Sequence, residues 1–169
     1  MNIMNVLCIN LRSRIDRLEK VSNQFKKMQL KFERFDAIYN SYGALGCTKS
    51  HIECIKLAKQ RNYDFCMICE DDLEFKVSPK NFEKIVHNFL KQEIPILILA
   101  GNTDPNNISN YNNFFYRTTN TQTTTAYIIK KPYYDTLLDN FLYSEKNLSE
   151  KGNSQQFALD VTWKELQKS

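Results

Sequence analysis

The chain has 169 residues, which is enough for one domain with a buried core. Hydrophobic residues make up 42% and charged residues 25%, so a disordered chain is excluded. A net charge of +4 is too weakly basic to argue for nucleic acid; it suits an anionic substrate such as a nucleotide diphosphate, and equally a solvated surface with a slight Lys excess.

Residues 4–11 form a short apolar run that reads as a buried parallel strand. Over 13–28, Ile15, Leu18, Val21, Phe25 and Met28 recur at helical spacing with charges between them. A second strand is expected at 32–38, a turn at 42–46, and a helix at 48–60 with Ile52, Ile55, Leu57 and Ala58 inward. A third strand, 65–69, stops abruptly at Glu70-Asp71-Asp72. Alternation of strand and helix predicts a parallel sheet covered by helices. A helix follows at 81–90, then a strand at 94–100 that begins at or after Pro95, because proline cannot donate to a ladder. Residues 104–113, rich in Asn, Pro and Ser, read as a loop. A strand at 124–129 precedes a helix at 132–142, which has Pro132 at its start. The polar stretch 144–155 is expected to be mobile, and 157–166 to close the chain with a helix from about Asp160.

Cys8, Cys47, Cys54, Cys66 and Cys69 are an odd set lying mostly in apolar runs, which favours reduced, buried thiols. The opening residues lack the pattern of a signal peptide, and no stretch has the length of a membrane span. The expectation is a cytoplasmic protein, at most peripheral to a membrane. Asn107 and Asn147 head glycosylation-type tripeptides, which arise by chance in a chain this rich in Asn.

Carboxylates just beyond the end of a parallel strand sit where α/β sheets bind ligands. Adjacent acids repel one another unless solvent, a helix end or a cation offsets the cost. Magnesium or manganese, which take oxygen ligands, can bridge such acids to a diphosphate and steady its departure. The alternatives for Glu70-Asp71-Asp72 are a solvated loop and acids capping a following helix.

Several segments together resemble glycosyltransferase family 25, which includes bacterial lipooligosaccharide galactosyltransferases and the collagen galactosyltransferases. They are residues 9–18 (INLRSRIDRL), 32–38 (FERFDAI), 43–51 (GALGCTKSH) and 67–75 (MICEDDLEF), with weaker likeness at 124–129 and at Leu159-Asp160. The order and spacing of the first four carry the resemblance. Where the family usually has Gly before its Thr-x-Ala-Tyr pattern, this chain has Thr123.

The resemblance implies an α/β fold of GT-A type: one Rossmann-like domain over 1–169 with a mixed, mainly parallel sheet flanked by helices, lacking the family's further C-terminal segment. It implies an inverting, metal-dependent hexosyltransferase that moves a sugar, usually galactose, from a UDP-sugar donor to a glycan or glycoprotein acceptor. In that reading Asp72 contacts Mn2+ or Mg2+, while Glu70 and Asp71 bind ribose hydroxyls or the donor sugar. Asn10, Arg14 and Arg17 lie on the nucleotide side, since a guanidinium clasps phosphate oxygens. His51 lies near the nucleotide pocket with no catalytic step assigned, and Asp160 is the base that takes the acceptor's proton. Plain solvated-helix roles for the arginines, a structural His51 and a helix-capping Asp160 are the competing readings.

Three other functions are open to these residues. Cys66-x-x-Cys69, with Cys47, His51 and Cys54 near in sequence, has zinc-ligand spacing. The same pair suits a redox site if it stands exposed at a helix start. The fold without catalysis would leave a module that binds nucleotide-sugar, glycan or protein.

Overall fold

The computed structural model describes residues 4–151 and 155–168. The elements in chain order are β1 (Asn5–Asn10), α1 (Ile15–Lys27), β2 (Glu33–Asp36), α2 (Gly43–Gln60), β3 (Phe65–Glu70), α3 (Pro79–Leu90), β4 (Ile96–Asn102), β5 (Ile108–Asn110), β6 (Tyr116–Thr118), β7 (Gln122–Lys130), α4 (Tyr134–Lys151) and α5 (Leu159–Thr162). A 3-10 turn, Trp163–Gln167, follows α5.

Five strands form one sheet in the order β2-β1-β3-β7-β4, and β5 pairs with β6 as a separate hairpin. β1 runs parallel to β2 and β3, whereas β7 runs antiparallel to both β3 and β4. β7 alone therefore points against the others, and the sheet is mixed but mainly parallel, as expected. β3 is central and buried from Phe65 to Cys69. Its residues divide by alternation between two cores. Cys66 and Ile68 join Leu7, Ile9, Tyr127 and Ile129 beneath α2, α4 and α5. Met67 and Cys69 join Val6, Cys8 and Ile128 against Val21 and Phe25 of α1 and Phe82 and Phe89 of α3. A sheet covered on both faces needs strands that are apolar at every position, which is why β1 and β3 read as continuous apolar runs.

Cys66 and Cys69 thus lie in different cores on opposite faces of the sheet. They cannot share a metal ion or a disulfide, and neither is exposed. Both the zinc reading and the redox reading of this pair are overturned. Burial pushes the Cys66 thiol up to about 12, which keeps it protonated and inert.

Local chemistry sets several boundaries. Ser78 Oγ accepts from Asn81 N at 3.3 Å with Pro79 in the first helical position, so α3 starts earlier than its apolar spacing suggests. The turn expected at 42–46 is instead the first turn of α2. A Cβ on Gly46 would lie 2.7 Å from Ile38 O, so glycine here lets α2 press against the segment after β2. Ser50 Oγ holds that contact, accepting from Ile38 N at 2.9 Å and donating to Gly46 O at 2.8 Å. β4 begins after Pro95, whose carbonyl accepts from Lys130 N at 2.9 Å.

The second half departs further from expectation. The loop expected at 104–113 contains β5, one arm of the hairpin. Asn112 Oδ1 turns the chain between β5 and β6 by accepting from Phe114 N (2.8 Å) and Phe115 N (3.0 Å). The stretch 144–155, expected to be mobile, continues α4 as far as Lys151; residues 152–154 lie outside the described residues. Ser144, Asn147 and Leu148 are buried there, and Ser144 Oγ donates to Phe157 O at 2.6 Å. The polar side chains are satisfied within the fold, which is why composition misleads at this point. α5 begins at Leu159, close to the position read from sequence.

Thr123 has φ 80°. That is the left-handed region, costly for a β-branched residue and easy for glycine. It lies beside an irregularity in the β4–β7 register between Ala100 and Asn102, where a Cβ on Gly101 would lie 2.2 Å from Thr121 Cγ2. The only hydrogen bond of its hydroxyl among the described residues is a long one, 3.4 Å to Ala100 O. Thr123→Gly relieves strain worth about 1–3 kcal/mol, against about 1 kcal/mol of added freedom in the unfolded chain. We expect urea unfolding to report a gain of about 1 kcal/mol; a loss would show that the strain lies elsewhere.

Candidate active site

β1 lies between β2 and β3, so the chain leaves it in opposite directions, and the crevice at the ends of these strands is a topological switch point. A cleft of about 200 Å³ occupies it, with Arg14, Arg17, Tyr39, Cys47, Glu70 and Asp71 in its lining. An adjoining depression of about 510 Å³ shares Arg14, Arg17 and Asp71 and adds Lys20, Asp72 and Glu74.

The three acids at the end of β3 differ in surroundings. Asp71 is buried, and both its oxygens are engaged: Asn10 Nδ2 donates to Oδ2 at 2.7 Å and Arg17 Nη1 to Oδ1 at 3.0 Å. Asn10 Nδ2 also donates to Arg14 O at 3.0 Å, tying β1 to the start of α1. Asn10 Oδ1 is buried without a hydrogen-bond partner among the described residues.

Glu70 is half-buried. Burial favours its neutral form, but His51, Thr124 and Arg17 outweigh that and hold the carboxyl below its ordinary value. Thr124 Oγ1 donates to it at 3.3 Å from β7.

Asp72 is exposed and makes no ion pair among the described residues. Burial of part of its surface and the charge of Glu70 raise its carboxyl above the ordinary value; Arg17 opposes and Asp71 adds to the rise. The arrangement leaves an exposed oxygen donor in an excess of negative charge, which suits a hard cation.

Arg14 is half-buried and forks onto Asp16, at 2.9 Å from Nε and 2.8 Å from Nη2. Its guanidinium borders both depressions, so a phosphate approaching there competes with Asp16.

His51 is fully buried within α2. Its Nδ1 lies 3.0 Å from the Tyr127 hydroxyl. Its Nε2 lies 3.5 Å from Glu70 Oε1 but makes no hydrogen bond. The phenol stays protonated because burial raises it far above its ordinary value, with nearby thiols and Glu70 adding to the effect. Cys47, one helical turn before His51, points to the same place. Its sulfur, a His51 nitrogen and a Glu70 oxygen all lie within 4.8 Å of one another. Burial lifts the Cys47 thiol well above its ordinary value, followed by the charges of Glu70, Asp160 and Asp72. Asp160 lies in the first turn of α5, and its charge reaches Cys47.

The fold gathers Asn10, Arg14, Arg17, His51, Glu70, Asp71 and Asp72 at this end of the sheet, whereas Cys54, Cys66 and Cys69 lie in the cores and Asp160 lines neither depression. Sequence reasoning missed three features. Tyr39 stands 79% exposed at the cleft, and no periodicity marks it. Thr124 and Tyr127 reach the site from β7, and only the pairing of β7 with β3 reveals them.

A model of glycosyltransferase family 25 (LPS biosynthesis protein) matches residues 41–147, more than half of the chain. Among solved structures, one described as a glycosyltransferase involved in the glycosylation of the major capsid of PBCV-1 superposes with a TM-score of 0.51. That alignment covers 95% of this chain and 74% of the other at 13% identity, a likeness of fold. No curated protein matches in sequence. No helix among the described residues is long and apolar enough to cross a membrane.

The Tyr127 hydroxyl supports a buried imidazole, so removing it leaves His51 Nδ1 without a partner. Tyr127→Phe is expected to destabilise the fold by about 1–3 kcal/mol, the cost of an unsatisfied buried polar group. Urea unfolding measures it, and an unchanged midpoint would show that His51 is held by packing alone.

Proposed function

The chain belongs to glycosyltransferase family 25, and from that premise we propose that it moves a hexose, galactose in the first instance, from a UDP-sugar to a hydroxyl of a glycan or glycosylated protein with inversion at the anomeric carbon. The observation that carries this reading is the convergence of Glu70, Asp71 and Asp72 with Arg14 and Arg17 on two adjoining depressions at the switch point of the sheet.

The residues divide the work. Tyr39, exposed at the cleft, offers its ring to the base. Arg14 and Arg17 present guanidinium groups to the diphosphate. Asn10, on the nucleotide side, acts from behind the cleft: with Asp71 it fixes the end of β1 against the turn after β3. Glu70, ionised and half-buried beside His51, accepts from hydroxyls of the ribose or donor sugar.

Asp72 is the residue that would hold Mn2+ or Mg2+, because its oxygens are exposed and surrounded by negative charge. A bound ion supplies charge neutralisation for the departing diphosphate. Asp160 takes the proton of the acceptor hydroxyl as its oxygen bonds to the anomeric carbon and the bond to the diphosphate oxygen breaks. Location in the cytoplasm, with attachment to a membrane surface at most, fits an acceptor of the lipopolysaccharide kind.

Calorimetric titration of UDP-galactose and UDP-glucose with manganese present, beside a transfer and hydrolysis assay, tests the reading. Asp72→Ala is expected to weaken metal-dependent donor binding by roughly tenfold or more, about 1.4 kcal/mol. Asp160→Asn should keep donor binding while transfer falls about a hundredfold or more, the usual contribution of a general base. Because the Asp72 carboxyl is raised, acidification should discharge it, and weaken metal-dependent binding, at a higher pH than an ordinary aspartate would. Failure of every UDP-sugar to bind would sink the proposal, and binding without turnover would favour a non-catalytic module.

A further inference from the structure

Cys47 and His51 have no part in the transfer chemistry, and together with Glu70 they form a cluster. Cys47 and His51 are one helical turn apart on the same face of α2, and Glu70 faces them from the end of β3. One sulfur, one nitrogen and one oxygen lie within 4.8 Å of one another. Around a tetrahedral zinc ion, ligand atoms stand roughly 3.3–3.7 Å apart, given bonds of about 2.0–2.3 Å. The His51 Nε2–Glu70 Oε1 separation of 3.5 Å already matches one edge of that tetrahedron. A small movement of the Cys47 side chain, which is only partly buried, completes the face.

A second, independent observation points to a ligand. His51 is 0% exposed, and its Nε2 is a buried polar atom with no hydrogen bond. Its nearest partner is the Glu70 carboxylate at 3.5 Å, too long for a well-formed hydrogen bond, and buried nitrogens left in that state are rare unless something completes them. The other ring nitrogen is held at 3.0 Å by the Tyr127 hydroxyl, the kind of outer partner that fixes a metal-binding imidazole. Glu70 is kept from turning away by Thr124.

We propose that Cys47, His51 and Glu70 bind one ion of the zinc class, leaving a fourth position open. Sulfur and imidazole select a borderline-soft ion over magnesium or manganese, which the oxygen donors of Asp72 suit better. Cys47 and Glu70 also line the cleft at the switch point, so the ion and a nucleotide-sugar exclude one another there. That last consequence rests on the donor reading above, whereas the binding test needs neither nucleotide nor sugar.

The full chain is titrated with Co2+ and then Zn2+ in the absence of nucleotide. A thiolate-to-cobalt charge-transfer band saturating at one ion per chain and displaced by zinc is expected. Cys47→Ser should abolish the band, and Glu70→Gln should weaken zinc roughly tenfold or more. X-ray absorption of the zinc-loaded wild-type chain, which depends on no variant folding, should show one sulfur at about 2.3 Å with nitrogen and oxygen neighbours. Zinc with no sulfur neighbour or with two or more, or a band unchanged in Cys47→Ser, overturns the proposal.

Discussion

Asp71 is a carboxylate placed where a carboxylate is expensive, at the buried end of the central strand beside two other acids. Asn10 of β1 and Arg17 of α1 each occupy one of its oxygens. Hydrogen bonds to a charged group are worth about 1.5–3 kcal/mol each when water is excluded; the half-exposed Arg17 contributes toward the low end. The same two bonds fix the first strand, the first helix and the turn after the third strand as one unit. The cleft exists because these three pieces are held at fixed separations, and an apolar residue at Asp71 would fill the space without setting that register.

Anchoring Asp71 from behind changes what its neighbours can do. With one of the three charges matched by a guanidinium, Glu70 and Asp72 share the remaining excess. They resolve it in opposite directions: Glu70 is stabilised as an anion by His51, Thr124 and Arg17, while Asp72, turned to solvent, is pushed toward its neutral form. Two carboxylates two positions apart thus acquire opposite shifts through surroundings alone. The strand that makes the difference is β7, the one that runs against the rest. Its antiparallel pairing with β3 sets Tyr127 opposite Ile68 and Ala126 opposite Cys69. That register brings Thr124 and Tyr127 up to Glu70 and His51.

The sequence disclosed this site unevenly. β1, β3 and the helices around them were legible because a sheet covered on both faces demands unbroken apolar runs, and Glu70-Asp71-Asp72 ends such a run with no transition. The opening of α2 was not, because Gly43 and Gly46 look like a turn until Ile38 O is seen within reach of a Gly46 Cβ. The far half of α4 was hidden for a different reason: Ser144 and Asn147 are polar yet buried, each bonded to a carbonyl. Asp160 came only from resemblance to a family, since no local pattern links a residue of α5 to the end of β3. Thr123 shows the reverse case. Its departure from the family's glycine is visible in the sequence, but only the backbone angle says what the departure costs.

The cysteines carry the sharpest lesson about spacing. Cys66 and Cys69 have the separation of a chelating pair, but strand alternation sends odd separations to opposite faces, so they end in different cores. Cys47 and His51 have no such textual signature, but helical periodicity sets them side by side, and the end of β3 brings Glu70 to them. On the two proposals, the cleft and its adjoining depression would offer two unlike cation environments. The Asp72 side is oxygen-rich and open to water, fitted to an ion that keeps much of its hydration. The Cys47–His51 side is sulfur- and nitrogen-bearing and drier, fitted to an ion that sheds water readily. Glu70 stands between the two and has a single carboxylate to give. On the readings proposed for them, whichever ion or ligand takes Glu70 determines the state of the other side, so the allocation of that one side chain governs how the cleft is used.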